Sequence, residues 1–140
     1  MTKEQTALVK KSWKILRSVD HALVGSVFYA KLFFDNPKLR KMFPDDMEQQ
    51  YLKLIDMLTL IVSRLGTPNE MTDEIKALAR RHVGYGVKIE HYEHIKAALL
   101  WMLEKGLGRD WNEKTKEAWV ACYDMISTVM IAASKEVLYS

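Results

Sequence analysis

The sequence is poor in the residues that interrupt helices or cross-link small folds: its 140 residues include six glycines, three prolines and one cysteine. The single cysteine, Cys122, excludes an internal disulfide and is typical of proteins from a reducing compartment. No apolar run approaches the roughly 20 residues that span a bilayer, and the start, MTKEQTALVKKSW, has no signal-peptide core. We therefore expect a cytoplasmic protein without a membrane segment.

The sequence also lacks a strong charge of one sign. Lysine and arginine total 21 against 18 aspartate and glutamate residues, and the basic residues are scattered rather than gathered in a stripe. A surface dedicated to nucleic acid is therefore not expected. With 49% hydrophobic residues, the length fits one globular domain over residues 1–140.

What the sequence does contain is helical periodicity from end to end, with no alternating strand pattern, and this predicts an all-α fold. Thr2-Lys3-Glu4-Gln5 has the form of a capping box that opens a first helix. Asn36-Pro37 starts a short turn, and Gly106 to Gly108 separate the last two helices, which we expect to pack as an antiparallel pair. The other predicted helices cover residues 20–34, 47–65, 72–83, 91–105 and 112–139.

Three polar residues lie where this periodicity predicts inward-facing positions: Tyr29, Gln50 and His82. His82, for example, follows Ile75 by seven positions and Leu78 by four. Buried polar groups need partners; an imidazole offers a metal ligand, whereas a phenol and an amide can donate hydrogen bonds to something bound opposite it. Each residue alone also has a simpler interpretation, as a hydrogen-bonded core histidine, a packing tyrosine or a glutamine at the solvent edge.

The motifs FYAKLF, PKLRKMF, RRHVGYGV, HYEHI and AWVACY follow one another over nearly the whole chain, with Gln50 between the second and the third. In this order and spacing they resemble a globin, and more narrowly the single-domain bacterial globins related to the haem domain of flavohaemoglobins. The resemblance implies a globin fold, with helices packed in crossed layers around a haem crevice. It also implies haem b, held noncovalently, because the sequence contains no CxxCH attachment motif.

By this resemblance, His82 matches the proximal histidine that binds the haem iron. Phe43 matches the phenylalanine that packs against the porphyrin, and Tyr92 matches a tyrosine near the proximal histidine. Tyr29 and Gln50 match the distal tyrosine and glutamine that hydrogen-bond the gas ligand.

Further positions follow from the same resemblance. Leu54, four residues after Gln50, would be the apolar distal residue over the ligand, and Val87 would touch the proximal edge of the macrocycle. Lys53 would reach a haem propionate with its stem buried. If the alignment of this helix is shifted, Gln49 and Lys53 become the competing distal candidates.

Two positions depart from the family pattern. Ser134 stands close to where flavohaemoglobin-like globins carry a glutamate that joins the proximal histidine and tyrosine, and the nearest acid, Glu136, lies on another helix face. Tyr51 follows Gln50 where globins place a small residue at a close helix crossing. Either the pocket is repacked, or Tyr51 itself approaches the ligand, or the alignment is shifted.

The resemblance implies binding of O2 and other diatomic gases such as NO and CO, for O2 storage, delivery or scavenging. One alternative is nitric oxide dioxygenase activity, which would need an external reductase because the sequence ends at Ser140 without a reductase domain. The other alternative is a haem-based gas sensor. Enzymatic activity is left open, and we expect a monomer or weak homodimer. His91 and His94 have metal-ligand spacing, but we interpret them as a solvated helix start.

Overall fold

The computed structural model describes residues 1–66, 68–84 and 86–139. It describes the side chains of all of these residues except 68–72 and 137–139. These residues form helices and turns and no strand, which confirms the all-α prediction. Two 3₁₀ turns lie at Pro37–Met42 and Gly108–Asp110. The α-helices are α1 (Lys3–Leu16), α2 (His21–Asp35), α3 (Glu48–Ser63), α4 (Pro68–Gly84), α5 (His91–Leu107) and α6 (Glu113–Tyr139).

The first two helices begin after polar residues whose side chains cap them. Thr2 and Gln5 form the predicted capping box: the Thr2 hydroxyl accepts from the Gln5 N–H at 3.0 Å, and the Gln5 side chain accepts from the Thr2 N–H at 2.9 Å. The carboxylate of Asp20 caps α2 in the same way, by accepting from the N–H groups of Ala22 and Leu23. Among the described residues, no helix has both the length and the apolar character needed to cross a membrane.

The end of α5 differs from the prediction, because the helix continues through Gly106 to Leu107. A Cβ at Gly106 would lie 2.2 Å from Leu16 Cδ1, so this glycine admits a close approach of α1 inside a continuing helix. Gly108, with φ +54°, ends the helix instead. The most extensive contacts of α5 are with α2, and those of α6 are with α1 and α4. The two last helices therefore contact each other less than they contact these other helices.

The crossing of α2 and α3 explains Tyr51. A Cβ at Gly25 would lie 2.7 Å from Tyr51 Cβ, 2.8 Å from Tyr51 Cα and 3.0 Å from Tyr51 O. The small residue at this close crossing is therefore Gly25 on α2, which leaves the facing position on α3 free to carry a large side chain. Tyr51 itself is half-buried, and its ring turns toward Tyr29.

Two buried tryptophans tie α1 to its neighbours. Trp13 Nε1 donates to Thr59 Oγ1 on α3 at 3.1 Å, and Trp119 Nε1 on α6 donates to Ser12 Oγ at 2.8 Å. The two indole rings meet edge to face, with centroids 5.9 Å apart. Because each buried indole N–H has an acceptor, this scaffold fixes α1, α3 and α6 relative to one another.

Candidate functional site

A crevice with mainly apolar walls lies among α2, α3, α4, α5 and α6. About 690 Å³ of it is free of protein atoms, and part of this space is open to solvent. Aliphatic and aromatic side chains dominate the walls, and burying such a surface against an apolar guest is favourable. Among the lining residues are Phe28, Leu54, Leu58, Leu78, His82, Tyr92, Leu99, Trp119, Ile126 and Met130.

His82 lines this crevice from the last turn of α4. Its face of the helix points inward as predicted, since Ile75, Leu78 and Ala79 are buried and His82 is half-buried. The His82 Nδ1 atom lies 2.9 Å from the carbonyl oxygen of Leu78. A carbonyl only accepts, so Nδ1 carries the proton of the neutral ring and Nε2 carries the lone pair.

The protonation state of His82 suits metal binding. Burial lowers the pKa of His82; the hydrogen bond to Leu78 raises it, and the neighbouring Arg81 lowers it further. The imidazole is therefore neutral at pH 7, which is the form that ligates metals. Within the described ranges no group of three or more His, Cys, Asp or Glu residues could hold a metal ion.

Tyr29 and Gln50 meet between α2 and α3. Gln50 Nε2 donates to the Tyr29 hydroxyl at 3.0 Å, and Tyr29 is 6% exposed while Gln50 is half-buried. Burial raises the pKa of Tyr29; the bond from Gln50 lowers it, and Tyr51 raises it. The phenol therefore stays protonated, and its own O–H proton goes to no acceptor in the described part of the chain.

Aromatic rings surround Tyr29 on several sides. Its ring centroid lies 4.9 Å from that of Phe28, 5.4 Å from Phe43, 5.8 Å from Phe33 and 5.9 Å from Tyr51. The contacts with Phe28 and Phe43 are edge to face, a favoured geometry for aromatic pairs. These contacts fix the direction of the Tyr29 hydroxyl.

The remaining predicted residues on α3 divide by exposure. Leu54 is buried and lines the crevice, whereas Lys53 and Gln49 are exposed. Of Gln49, Gln50 and Lys53, Gln50 is the one whose side chain donates to the Tyr29 hydroxyl. The pair stands beside the crevice rather than in its wall: Tyr29 lines a second cavity of about 780 Å³, open to solvent, together with Tyr51.

On the other side, Val87 and Tyr92 follow α4. Val87 is half-buried, and its N–H donates to the carbonyl of His82 at 3.0 Å. Tyr92 is buried and lines the crevice, and its hydroxyl makes no hydrogen bond of good geometry to a described residue. Burial raises the pKa of Tyr92, and the Ser134 hydroxyl beside it partly offsets this. The Tyr92 hydroxyl and the nearby Ser134 thus form a polar point at the edge of a mainly apolar wall.

The fold, the crevice and its histidine agree with the family assignment. The Globin family model matches residues 26–130, well over half of the chain. The chain belongs to the globin family. Haem-dependent binding of diatomic gases is accordingly its general function, and the apolar walls with one neutral imidazole fit that cofactor.

Relatives of this globin include both short and long proteins. An uncharacterized globin-like protein of Aquifex aeolicus is 31% identical over 140 residues, covering 100% of this chain and 99% of that protein. A flavohemoprotein of Bordetella pertussis is 26% identical over 138 residues, covering 96% of this chain but 34% of that protein. This globin therefore spans about a third of the flavohemoprotein. The structure of a bacterial globin from Campylobacter jejuni matches with a TM-score of 0.86 at 26% identity, covering 99% and 100% of the two chains.

Residues of α6 and of the start of α5 complete the surroundings of the crevice in this globin. The Ser134 hydroxyl is buried and donates to the Met130 carbonyl at 2.8 Å, while Glu136 is exposed, so no carboxylate of this turn reaches Tyr92. Cys122 is buried in the core and also lines the crevice. His91 uses its Nδ1 to accept from the Lys88 N–H at 3.0 Å, a local contact at the start of α5.

Proposed function

We propose that this globin, as one domain over residues 1–140, holds a noncovalent b-type haem in the apolar crevice and binds O2 reversibly. His82 would be the proximal ligand of the iron. The observation that carries the proposal is the single neutral imidazole in an otherwise mainly apolar wall, with Nδ1 committed to Leu78 at 2.9 Å. A hydrogen bond at the second ring nitrogen is the usual way in which proteins orient a metal-binding histidine.

The cofactor supplies a ferrous iron that coordinates the gas, and the surrounding residues would hold it in place. Leu54 would pack over the distal side, and Val87 and Tyr92 would contact the proximal side. Phe43 would press against the porphyrin edge, supported by the Tyr29 ring 5.4 Å away. Lys53, exposed on α3, would place its ammonium at a propionate while its stem lies along the apolar rim.

Tyr29 and Gln50 would stabilise the partly anionic oxygen of the gas ligand by hydrogen bonding. Because Gln50 already donates to the Tyr29 hydroxyl, that hydroxyl is polarised and becomes a stronger donor. A hydrogen bond of this kind contributes about 1 to 3 kcal/mol where water is kept from the ligand. We therefore expect high O2 affinity that comes from slow dissociation, which suits storage, delivery or scavenging.

The direct test of haem ligation is the visible absorption spectrum of the purified protein, recorded ferric, dithionite-reduced and then exposed to CO. The wild type should show a strong Soret band that shifts with CO, and His82→Ala should lose or alter it. His94→Ala is the matched control, since His94 lies at the start of α5 and outside the crevice wall, and its spectrum should be unchanged. A protein that shows no Soret band after haem is added and the unbound haem is removed would refute the proposal.

A second candidate is oxidation of nitric oxide to nitrate with electrons from a separate reductase. The similarity to a flavohemoprotein over 96% of this chain favours it, together with the Tyr29–Gln50 pair. The serine at position 134 weakens it, because that position offers Tyr92 a hydroxyl rather than a carboxylate. Catalytic consumption of NO in the presence of O2 and a supplied reductase would separate this activity from simple gas binding.

A further inference from the structure

We propose that Arg40 is a positioning residue of the gas-binding site. Its guanidinium holds the segment that carries Phe43 and thereby fixes the direction of the Tyr29 hydroxyl. This inference rests on the proposed function, since it concerns how the ligand-facing tyrosine is oriented. Arg40 lies in the 3₁₀ turn Pro37–Met42, ahead of the irregular segment that leads to α3.

The guanidinium of Arg40 is committed to three consecutive carbonyl oxygens. Nη1 donates to the carbonyl of Phe43 at 3.3 Å and to that of Pro44 at 2.9 Å, and Nη2 donates to that of Asp45 at 3.1 Å. A planar fork of donors satisfies such a set, whereas a lysine ammonium is a point charge on a flexible stem. The contact is therefore specific to arginine.

These hydrogen bonds satisfy the carbonyl oxygens of residues 43–45. Outside the helices of the described chain, no backbone hydrogen bond uses their carbonyl oxygens as acceptors. The segment instead begins with one bond from the Phe43 N–H to the Arg40 carbonyl, at 3.1 Å. Arg40 thus closes the turn through both its backbone and its side chain, and charge-assisted bonds of this kind are stronger than neutral ones.

The same guanidinium reaches the rings around Tyr29. Arg40 lies over the Phe33 ring, with its Cζ 5.5 Å from the centroid, and the Phe33 and Phe43 rings are 5.4 Å apart. Both phenylalanines contact Tyr29, at 5.8 and 5.4 Å. One side chain therefore restrains two of the rings that hold the phenol.

The space beside Tyr29 explains why this restraint matters. The second cavity is lined by Tyr29, Phe33, Arg40 and Tyr51 among others, and it opens to solvent. If residues 43–45 move away, the Tyr29 ring loses a wall and can tilt into this cavity, where water competes for its hydroxyl. The hydroxyl would then spend less time in the direction of the gas ligand, and misplacement of a positioned group by about 1 Å is costly.

The experiment compares Arg40→Ala and Arg40→Lys with Lys41→Ala, an exposed neighbour in the same turn. Each haem-loaded protein is measured by stopped-flow O2 dissociation and by the infrared C–O stretch of its CO complex, which reports hydrogen bonding to the ligand. Both Arg40 variants should release O2 about threefold faster or more, a fraction of what a full hydrogen bond supplies. Their C–O band should move toward the position of a ligand without a hydrogen bond, while Lys41→Ala matches the wild type.

Two further measurements separate positioning from a general loss of structure. In a Tyr29→Phe background, Arg40→Ala should no longer change O2 release, because it acts through the phenol. Hydrogen exchange at the Phe43 N–H, which donates to the Arg40 carbonyl, should be faster in Arg40→Ala, with the helices still protected. If Tyr29→Phe speeds release but neither Arg40 variant does, or if Arg40→Lys behaves as wild type, the role of the arginine fork is refuted. If Tyr29→Phe itself has no effect, the distal part of the proposed function fails instead.

Discussion

Replacing Gly25 with alanine tests whether the crossing of α2 and α3 sets the geometry of the distal pair. An added Cβ would lie 2.7 Å from Tyr51 Cβ, 2.8 Å from Tyr51 Cα and 3.0 Å from Tyr51 O. Two of these three atoms are backbone, so no rotation of the Tyr51 side chain relieves the overlap. The helices must move apart, and Gln50, which precedes Tyr51 on α3, must move away from Tyr29.

The expected change in the free energy of unfolding of Gly25→Ala is the difference between two opposing effects. Alanine in a helix interior is more favourable than glycine by about 1 kcal/mol, whereas forcing an extra methyl into a packed contact costs about 1 to 3 kcal/mol and more against backbone. We expect the free energy of unfolding of Gly25→Ala to fall by about 1 to 2 kcal/mol, which lowers the melting temperature by about 3 to 8 °C for a chain of this size.

Urea denaturation followed by circular dichroism, with O2 dissociation measured on the same samples, checks both consequences. Gly84→Ala is the control, because nothing lies within 4 Å of a Cβ at this helical position and its stability should be unchanged or slightly higher. O2 release should be faster in Gly25→Ala alone. A Gly25→Ala protein as stable as the wild type, with unchanged O2 release, would refute the argument that this close crossing holds the pair together.

Two other predictions concern buried groups. Burial raises the pKa of the Cys122 thiol from 9.0 to about 12. Between these pH values the unfolded state binds fewer protons than the folded state, so the free energy of unfolding falls as pH rises, by at most about 1.4 kcal/mol per pH unit. Urea melts at pH 8 to 11 should show a shallower decline for Cys122→Ala, and an identical slope would contradict this. Ser12→Ala should cost about 1 to 3 kcal/mol of unfolding free energy, because Trp119 Nε1–H loses its acceptor in the core, whereas the exposed Ser18→Ala should cost little.

Much of the scaffold could be predicted from the sequence because local rules act on it directly. Thr2 and Asp20 cap the helices they precede, and the spacing of Ile75, Leu78 and His82 places all three on one inward face. The end of α5 could not be predicted, since Gly106 normally suggests a helix end. Its place inside the helix depends on Leu16, which belongs to a different helix.

The candidate site also has features that the sequence predicts and features that depend on contacts between helices. Tyr29 and Gln50 could be selected as inward-facing polar residues, but their 3.0 Å contact depends on how closely α2 and α3 cross. The sequence position of Tyr51 does not reveal its role, which depends on Gly25 packing against it, because close packing is a property of two helices together. Arg40 carries no local signal, since the three carbonyls that it binds come from a segment without regular structure.

The measurement that tests the account most directly is the O2 dissociation rate of Tyr29→Phe against the wild type, with Tyr51→Phe as the matched control. Both variants keep the ring and remove only the hydroxyl. Tyr29→Phe should release O2 about tenfold faster, equivalent to one hydrogen bond of about 1.4 kcal/mol, and Tyr51→Phe should release it at the wild-type rate. An unchanged rate in Tyr29→Phe, or acceleration in Tyr51→Phe alone, would contradict the assignment of Tyr29 as the ligand-facing donor.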